Sequence, residues 1–253
     1  MIIYQYDGSL EGYMTAVYNA VNTHQDNALF EVDGDNVQMN LFNEYVHIDT
    51  SEDNASEMLS TIKRKVGVRG MSSIYHAFVS ADRQKDNIIY RYITLALEHG
   101  KKVNEMQSHP HVILFNDIVH KVRGEIHKMS GFVRFVKTSS DIYYAPYSPE
   151  NDITLYLMRE FIDRYPIMRF VLHDVIRGVL GIYNGNDYII VEDDRPINIK
   201  LAEDERFIEQ LWSKYYESVN IKERYNRRLM LNYMPKKYVQ NVHAWCDFDK
   251  NKM

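Results

Sequence analysis

The hydrophobic period of this 253-residue chain changes near Gly131, and that change restricts its possible folds more than any other feature. Before Gly131, apolar residues recur with the 3.6-residue period of helices. After it, apolar and polar residues partly alternate, as they do along strands. The sequence therefore predicts the α+β class, with a mostly helical first part followed by a sheet.

We place the boundary near residue 128. Residues 1–128 are predicted to form a mostly helical part with an N-terminal strand, and residues 129–253 an α+β part with a basic C-terminal segment, unless both belong to one integrated domain. In the first part a strand precedes a helix capped by Asp7-Gly8-Ser9, and further helices are predicted at 54–65, 71–81, 85–99 and 107–127. Residues 31–57, which contain eight acids and no Lys or Arg, are predicted to be a solvated connection.

The second part is predicted to follow the order ββαβββα, ending in C-terminal helices. Its strands are predicted near residues 132–137, 142–145, 167–172, 178–183 and 188–191. A hairpin turn is expected at Asn184-Gly185-Asn186-Asp187, and a long last helix carries an apolar stripe. This order predicts an antiparallel sheet with helices on one face, without the parallel crossover of nucleotide-binding α/β domains.

Cys246 is the only cysteine, which excludes an internal disulfide and any zinc or iron–sulfur site built from cysteines of this chain. The chain has neither the basic start of a signal peptide nor the ~20 consecutive apolar residues of a membrane span, so we expect a cytoplasmic protein without a membrane partner.

Glycine loops for phosphates and a nucleophile elbow are absent, so nucleotide hydrolysis and acyl transfer have no support. No cofactor is expected, and the spacing of His109, His111, His120 and His127 does not favour a metal site.

Two short clusters each combine a histidine, a carboxylate and an arginine. One contains Glu125 and His127 and leads to Arg134; the other is His173-Asp174 with Arg177. A histidine beside a carboxylate is able to act as a general acid or base, with an arginine holding a phosphate. The same residues are able to form a buried ion-pair network, in which Asp174 caps the turn between two strands.

Residues 221–239 carry six Lys or Arg and one acid, a charge of about +5 in a chain whose net charge is −5. We call residues 222–237 the C-terminal cationic segment. If a helix spans it, Arg224, Arg227 and Arg228 share one face and are able to contact phosphates. Tyrosines between the cations offer rings for base stacking. The segment therefore predicts nucleic-acid contact by the following residues: Arg224, Tyr225, Asn226, Arg227, Arg228, Lys236, Lys237 and Tyr238, with Arg134 and Arg177 as further phosphate contacts.

Four groups of residues make the chain resemble a bacterial family described as probable DNA metabolism proteins. They are Tyr6-Asp7-Gly8-Ser9 with Gly12; residues 125–129 with 132–135; His173-Asp174 with Arg177; and Leu211-Trp212, Lys214-Tyr215-Tyr216, Glu223-Arg224-Tyr225-Asn226 and Met234-Pro235-Lys236-Lys237-Tyr238. The family's domain of unknown function also occurs fused to the C-terminus of some uracil-DNA glycosylases. Arg227 and Val239 stand where the family often has Pro and Trp, so the family's role for those two positions does not carry over.

The resemblance implies a partnership with a radical-SAM protein that is thought to modify or repair DNA. Since radical-SAM enzymes bind their cluster through three cysteines, this chain would be the partner of that enzyme. We therefore expect an accessory protein of DNA repair or modification that binds DNA, the radical-SAM enzyme or both. Two alternatives remain: a nuclease or lyase that uses Glu125, His127, His173 and Asp174 for proton transfer, and an adaptor that contacts proteins only.

Overall fold

The computed structural model describes residues 2–25, 27–34, 43–193, 195, 199–219, 221–224, 226–233 and 238. Contacts divide the chain into two compact units, residues 1–123 and 124–253. The mixed α+β class predicted from the sequence is confirmed. No helix in the described part of the chain is both long enough and apolar enough to cross a bilayer.

The first unit contains a three-stranded parallel sheet and a group of helices. The strands are β1 (Ile2–Tyr6), β2 (Leu29–Val32) and β3 (Glu44–His47), with β1 in the centre and parallel to both neighbours. Strands β2 and β3 lie in or beside the acidic region, so the prediction of a solvated connection was wrong for these residues. Both are four residues long at sheet edges, where charged residues are common and the alternating pattern is weak.

The helices of the first unit are α1 (Leu10–Asn22), α2 (Glu52–Phe78), α3 (Lys85–His99) and the start of α4 (Pro110–Phe132), with a 3₁₀ turn at Gly100–Glu105. Ser9 caps α1 by accepting a hydrogen bond from Gly12 N, as predicted. Gly67 has a φ of +75° and interrupts α2, which explains why the sequence pattern separated two helices there. The core that joins these helices to the sheet includes Tyr6, Tyr13, Ile62, Ile89 and Phe115.

The second unit is built on a five-stranded sheet in the order β4-β5-β6-β7-β8. These strands are Val136–Lys137, Tyr143–Tyr147, Phe170–Asp174, Val179–Tyr183 and Tyr188–Glu192. The predicted antiparallel arrangement is confirmed for three of the four pairings, but β5 and β6 are parallel. Helix α5 (Thr154–Arg164) connects them, so a parallel crossover is present after all.

Helix α5 packs on one face of this sheet. A Cβ atom at Gly181 of β7 would lie 2.5 Å from Sδ of Met158, so glycine permits this close approach. The predicted turn after β7 is confirmed, because Oδ1 of Asn184 accepts hydrogen bonds from the backbone N of Asn186 and Asp187. Helices α6 (Glu205–Val219) and α7 (Arg227–Tyr233) follow the sheet, with a 3₁₀ turn at Lys222–Arg224 between them.

Candidate functional site

Glu125 lies at the centre of a buried polar cluster in the second unit. Its Oε1 accepts a 2.7 Å hydrogen bond from the backbone N of Glu150, and its Oε2 accepts bonds from the backbone N (2.9 Å) and Nδ2 (2.6 Å) of Asn151. Glu150 and Asn151 belong to the loop between β5 and α5. The carboxylate of Glu125 therefore fixes this loop to helix α4.

Tyr238 completes the hydrogen bonding of Glu125 from the C-terminal end of the chain. Its phenol donates a 2.6 Å bond to Oε1 of Glu125, and the residue is 7% exposed. Burial, and then the hydrogen bond to Glu125, raise the pKa of the Tyr238 phenol, which stays protonated as the donor. A buried ring is not available to a base, so the stacking role that the sequence suggested for Tyr238 does not fit its position.

Asp174 and Arg177 form an ion pair that is hydrogen-bonded to the same loop. Oδ1 of Asp174 accepts hydrogen bonds from the backbone N of Ile176 and Arg177, which is the turn-capping role expected from the sequence. Its Oδ2 lies 2.9 Å from Nη1 of Arg177. The same guanidinium donates to the backbone carbonyls of Pro149 and Glu150, so Nη1 and Nη2 both hold the loop.

The two histidines of the predicted clusters do not join these carboxylates. His127 is exposed, whereas Glu125 is buried, because residues two apart on a helix point in different directions. His173 and Asp174 are neighbours on β6 and therefore face opposite sides of the sheet. The carboxylates of Glu125 and Asp174 accept hydrogen bonds that hold the fold together. This favours a buried polar network with a structural role over a site for proton transfer.

His173 instead pairs with Tyr144 on what we call the outer sheet face, the side that includes Tyr144, Val171, His173, Leu180 and Ile182. Oη of Tyr144 and Nδ1 of His173 share a 2.5 Å hydrogen bond. Burial lowers the pKa of His173 and raises that of Tyr144, so both groups are neutral at pH 7. Beside this pair lies a groove of about 570 Å³ with an apolar floor of Val171, Leu180 and Ile182.

Three arginines in the first half of the cationic segment are exposed. Arg224 lies in the 3₁₀ turn, while Arg227 and Arg228 start helix α7. Asn226 caps this helix, since its Oδ1 accepts a 3.0 Å hydrogen bond from the backbone N of Leu229. One continuous helix through Arg224 is therefore not formed, and the prediction that the three guanidinium groups share one helical face was wrong. All three are nonetheless exposed within five residues of sequence.

The remaining residues predicted to contact nucleic acid lie outside helix α7. Tyr225, Lys236 and Lys237 lie outside the described residues. Arg134 is exposed, and its Nη1 donates to the carbonyls of Gly131 (2.7 Å) and Val133 (3.0 Å). Tyr233, at the end of α7, is 68% exposed and presents an aromatic ring to solvent.

Helix α6 carries an exposed apolar stripe. Phe207, Ile208, Leu211, Tyr215 and Val219 recur with helical spacing and are each 46–66% exposed. Soluble domains rarely leave a large contiguous apolar patch uncovered unless it contacts another molecule. The sequence identified this stripe, but its period alone did not distinguish a core-facing stripe from an exposed one.

Sequence reasoning missed Asn151 and Tyr144. Pro149-Glu150-Asn151-Asp152 is a pattern typical of a helix start. The residue that accepts the backbone N–H bond of Glu150, however, is Glu125, which lies 25 positions earlier. Tyr144 was recognised as a strand residue only. Among the described residues, no group of three or more His, Cys, Asp or Glu side chains is placed to hold a metal ion.

Comparison with known proteins gives a family match. A family model described as a domain of unknown function, DUF4130, matches residues 83–243, which is more than half of the chain. The matched region extends from the start of α3 through the polar cluster and the cationic segment. A search of curated proteins found no match.

Proposed function

This chain belongs to the DUF4130 family, and from that premise we propose that it is a DNA-binding accessory protein of DNA repair or modification that acts with a radical-SAM enzyme. The DUF4130 match is consistent with the resemblance to probable DNA metabolism proteins, from which the partner is inferred. The observation that carries the proposal is the exposed group Arg224, Arg227 and Arg228 in a chain of net charge −5.

The position of Arg227 and Arg228 supports a role beyond stability. Both lie in the first turn of α7, which contains no acidic residue. A cation at the positive end of a helix dipole is unfavourable by up to about 1 kcal/mol, and an acid there would be favourable. A DNA backbone would place negative charge near this end of the helix, and its phosphate oxygens match the donors of a guanidinium group.

Tyr233 supports contact with exposed bases. Its ring is 68% exposed at the end of the same helix, six residues after Arg227. Stacking of a base on an exposed aromatic ring contributes about 1–3 kcal/mol and does not depend on sequence. Because the acidic residues of the chain would repel DNA elsewhere, we propose a short footprint centred on α7.

Fluorescence anisotropy with single- and double-stranded DNA tests this function. We expect the intact protein to bind, and the double variant Arg224→Glu/Arg227→Glu to lose at least about tenfold in affinity. The matched control is Arg83→Glu/Arg159→Glu, which makes the same change in charge at exposed positions on other parts of the chain. Equal loss in both double variants would show a net-charge effect only and would remove the assignment to the cationic segment.

We propose that the apolar stripe of α6 binds the radical-SAM partner. Its exposed Phe207, Leu211 and Tyr215 have the aromatic and aliphatic character of interface hot spots. Co-purification of the two proteins, expressed together, tests this. We expect Phe207→Glu/Tyr215→Glu to abolish association, while Ile167→Glu, at a 90% exposed turn position, leaves it intact. If the intact protein does not co-purify with the radical-SAM protein, this part of the proposal fails while DNA binding stands separately.

A further inference from the structure

A polar groove of about 610 Å³ lies in the first unit, on the surface of helix α4. Its lining includes Asn116, Asp117, His120 and Arg123, which follow one another at helical spacing on one face of α4. Ser73 of α2 and Gln107 of the preceding turn form its sides. This volume is within the range of about 300–1,000 Å³ that is usual for small-molecule sites.

Arg123 gives one end of the groove a positive charge. Its Nη2 donates a 3.1 Å hydrogen bond to Oγ of Ser73, and this bond orients the guanidinium group. A guanidinium group has five N–H donors, so others remain to contact a ligand in the groove. Within the described part of the chain, no carboxylate forms an ion pair with Arg123. The charge also acts on His76, whose pKa is lowered by burial and further by Arg123. His120 lies one turn before Arg123 on the same face.

The other end of the groove holds two oriented amides. Nε2 of Gln107 donates to the carbonyl of Asn104 (2.7 Å), and Nδ2 of Asn116 donates to Oε1 of Gln107 (3.1 Å). This chain of hydrogen bonds fixes both planes and leaves Oδ1 of Asn116 as an acceptor at the groove. Ile113, which is 51% exposed, adds an apolar surface beside them.

The acidic residue of the groove does not cancel this charge. Oδ2 of Asp117 lies 2.7 Å from Nζ of Lys121, so the two form a neutral pair. Asn116 and Arg123 are seven residues apart, which is two helical turns or about 10 Å along the axis. The groove therefore matches the groups of one nucleotide over this distance. Its cationic end matches the phosphate, its apolar surface the ring of the base, and its oriented amide the polar edge of the base.

We propose that this groove binds a single nucleotide, with its phosphate at Arg123 and His120, its base against Ile113, and an amino or imino N–H of the base donating to Asn116. The site does not depend on the cationic segment, which belongs to the second unit. The nucleotide is either a free monophosphate or one residue of a strand, and both present the same groups.

Titration of the ¹⁵N-labelled full-length protein, followed by NMR, tests the site. The probes are deoxycytidine 5′-monophosphate, deoxycytidine, inorganic phosphate and a short single-stranded oligonucleotide. We expect saturable shifts of the side-chain amide signals of Asn116 and Gln107. Arg123→Gln and Asn116→Ala should each weaken binding by at least about tenfold. The exposed control Arg83→Gln, and the Arg224→Glu/Arg227→Glu variant, should leave these shifts unchanged.

Each outcome decides the proposal. Shifts with the monophosphate indicate a free nucleotide as ligand, and shifts with the oligonucleotide alone indicate a strand; both support the site. Binding of inorganic phosphate as tight as that of the nucleotide would overturn it, because the base would then contribute nothing. Absence of shifts with both nucleotide probes up to about 10 mM, or equal weakening in Arg83→Gln, would also overturn it.

Discussion

The phenol of Tyr238 donates a 2.6 Å hydrogen bond to Oε1 of Glu125, a residue 113 positions earlier in the chain. This contact joins the residue that follows the cationic segment to helix α4, which also holds the β5–α5 loop through Glu125. The cluster that looked from the sequence like a possible acid–base site is thus a point where three distant segments meet. Its expected contribution is to stability and to the position of the segment that we propose binds DNA.

Replacement of Tyr238 by phenylalanine is expected to lower the free energy of unfolding by about 1.5–3 kcal/mol, the usual contribution of a hydrogen bond to a charged group. Chemical denaturation at pH 7 measures this. The matched control is Tyr233→Phe, at an exposed ring, which should change stability by less than about 0.5 kcal/mol. Equal stability of Tyr238→Phe and the parent would contradict a structural role for this contact.

The same contact predicts a loss of stability in alkali. The pKa of the Tyr238 phenol is raised in the folded protein, so the folded state holds this proton more tightly than the unfolded state. The stabilisation that the protonated phenol gives the folded state is complete below the ordinary tyrosine pKa of about 10. It disappears as the pH rises through the raised pKa of the folded protein. Denaturation midpoints measured up to about pH 11 should therefore fall less steeply in Tyr238→Phe than in the parent. Parallel curves for the two proteins would contradict this.

The pair Asp174 and Arg177 is expected to be strongly coupled. Asp174 is fully buried, so Arg177→Met would leave its carboxylate uncompensated and cost about 3–5 kcal/mol. The double variant Asp174→Asn/Arg177→Met should cost clearly less than the sum of its two single changes. A double-mutant cycle by denaturation measures this coupling. Additive costs would show that the guanidinium acts only through its bonds to the loop carbonyls.

Asp86, in the core of the first unit, is expected to limit stability at neutral pH. Its carboxyl accepts a 2.9 Å bond from the Tyr6 phenol through Oδ2, but Oδ1 is buried and accepts none from the described residues. Burial raises the pKa of Asp86, so this side chain favours folding below its unfolded pKa of about 3.9 and loses that contribution as the pH rises through the folded value.

Asp86→Asn should therefore stabilise the protein at pH 7, because burial disfavours the charged carboxylate and the amide carries no charge. Thermal unfolding between about pH 4 and pH 7 measures this, and the advantage of the variant should grow with pH. The control Asp163→Asn makes the same chemical change at an exposed position, where no buried charge is removed. A variant that is less stable than the parent at pH 7 would indicate that the charged carboxylate is needed.

Much of the fold follows from local periodicity. Helix α3 spans Lys85–His99, as the sequence predicts, because both its apolar stripe and Gly100, the residue that ends it, are clear in the sequence. Strands β7 and β8 agree within one residue for the same reason. The direction in which strands pair does not follow from local periodicity. The parallel pairing of β5 with β6 depends on where helix α5 brings the chain back to the sheet. The predicted strand at 132–137 is reduced to Val136–Lys137, since helix α4 continues to Phe132.

The candidate site was predictable only in its residue types. Glu125, Asp174 and Arg177 stand out as charges among apolar residues, and all three are indeed parts of one polar cluster around the β5–α5 loop. Their partners were not predictable, because Asn151 and Tyr238 reach Glu125 through tertiary contacts that leave no local pattern. The exposure of the α6 stripe was equally hidden, since an apolar helical period is the same whether it faces a core or a partner.

The salt dependence of DNA binding tests the central proposal most directly. The logarithm of the binding constant falls with the logarithm of salt concentration, with a slope of about −0.9 per phosphate contact on double-stranded DNA. We predict that Arg224→Gln/Arg227→Gln/Arg228→Gln makes this slope shallower by about 2–3. An Arg83→Gln/Arg159→Gln control should keep the parent slope. A triple variant that binds DNA with the affinity and slope of the parent would contradict the assignment of DNA contact to the cationic segment.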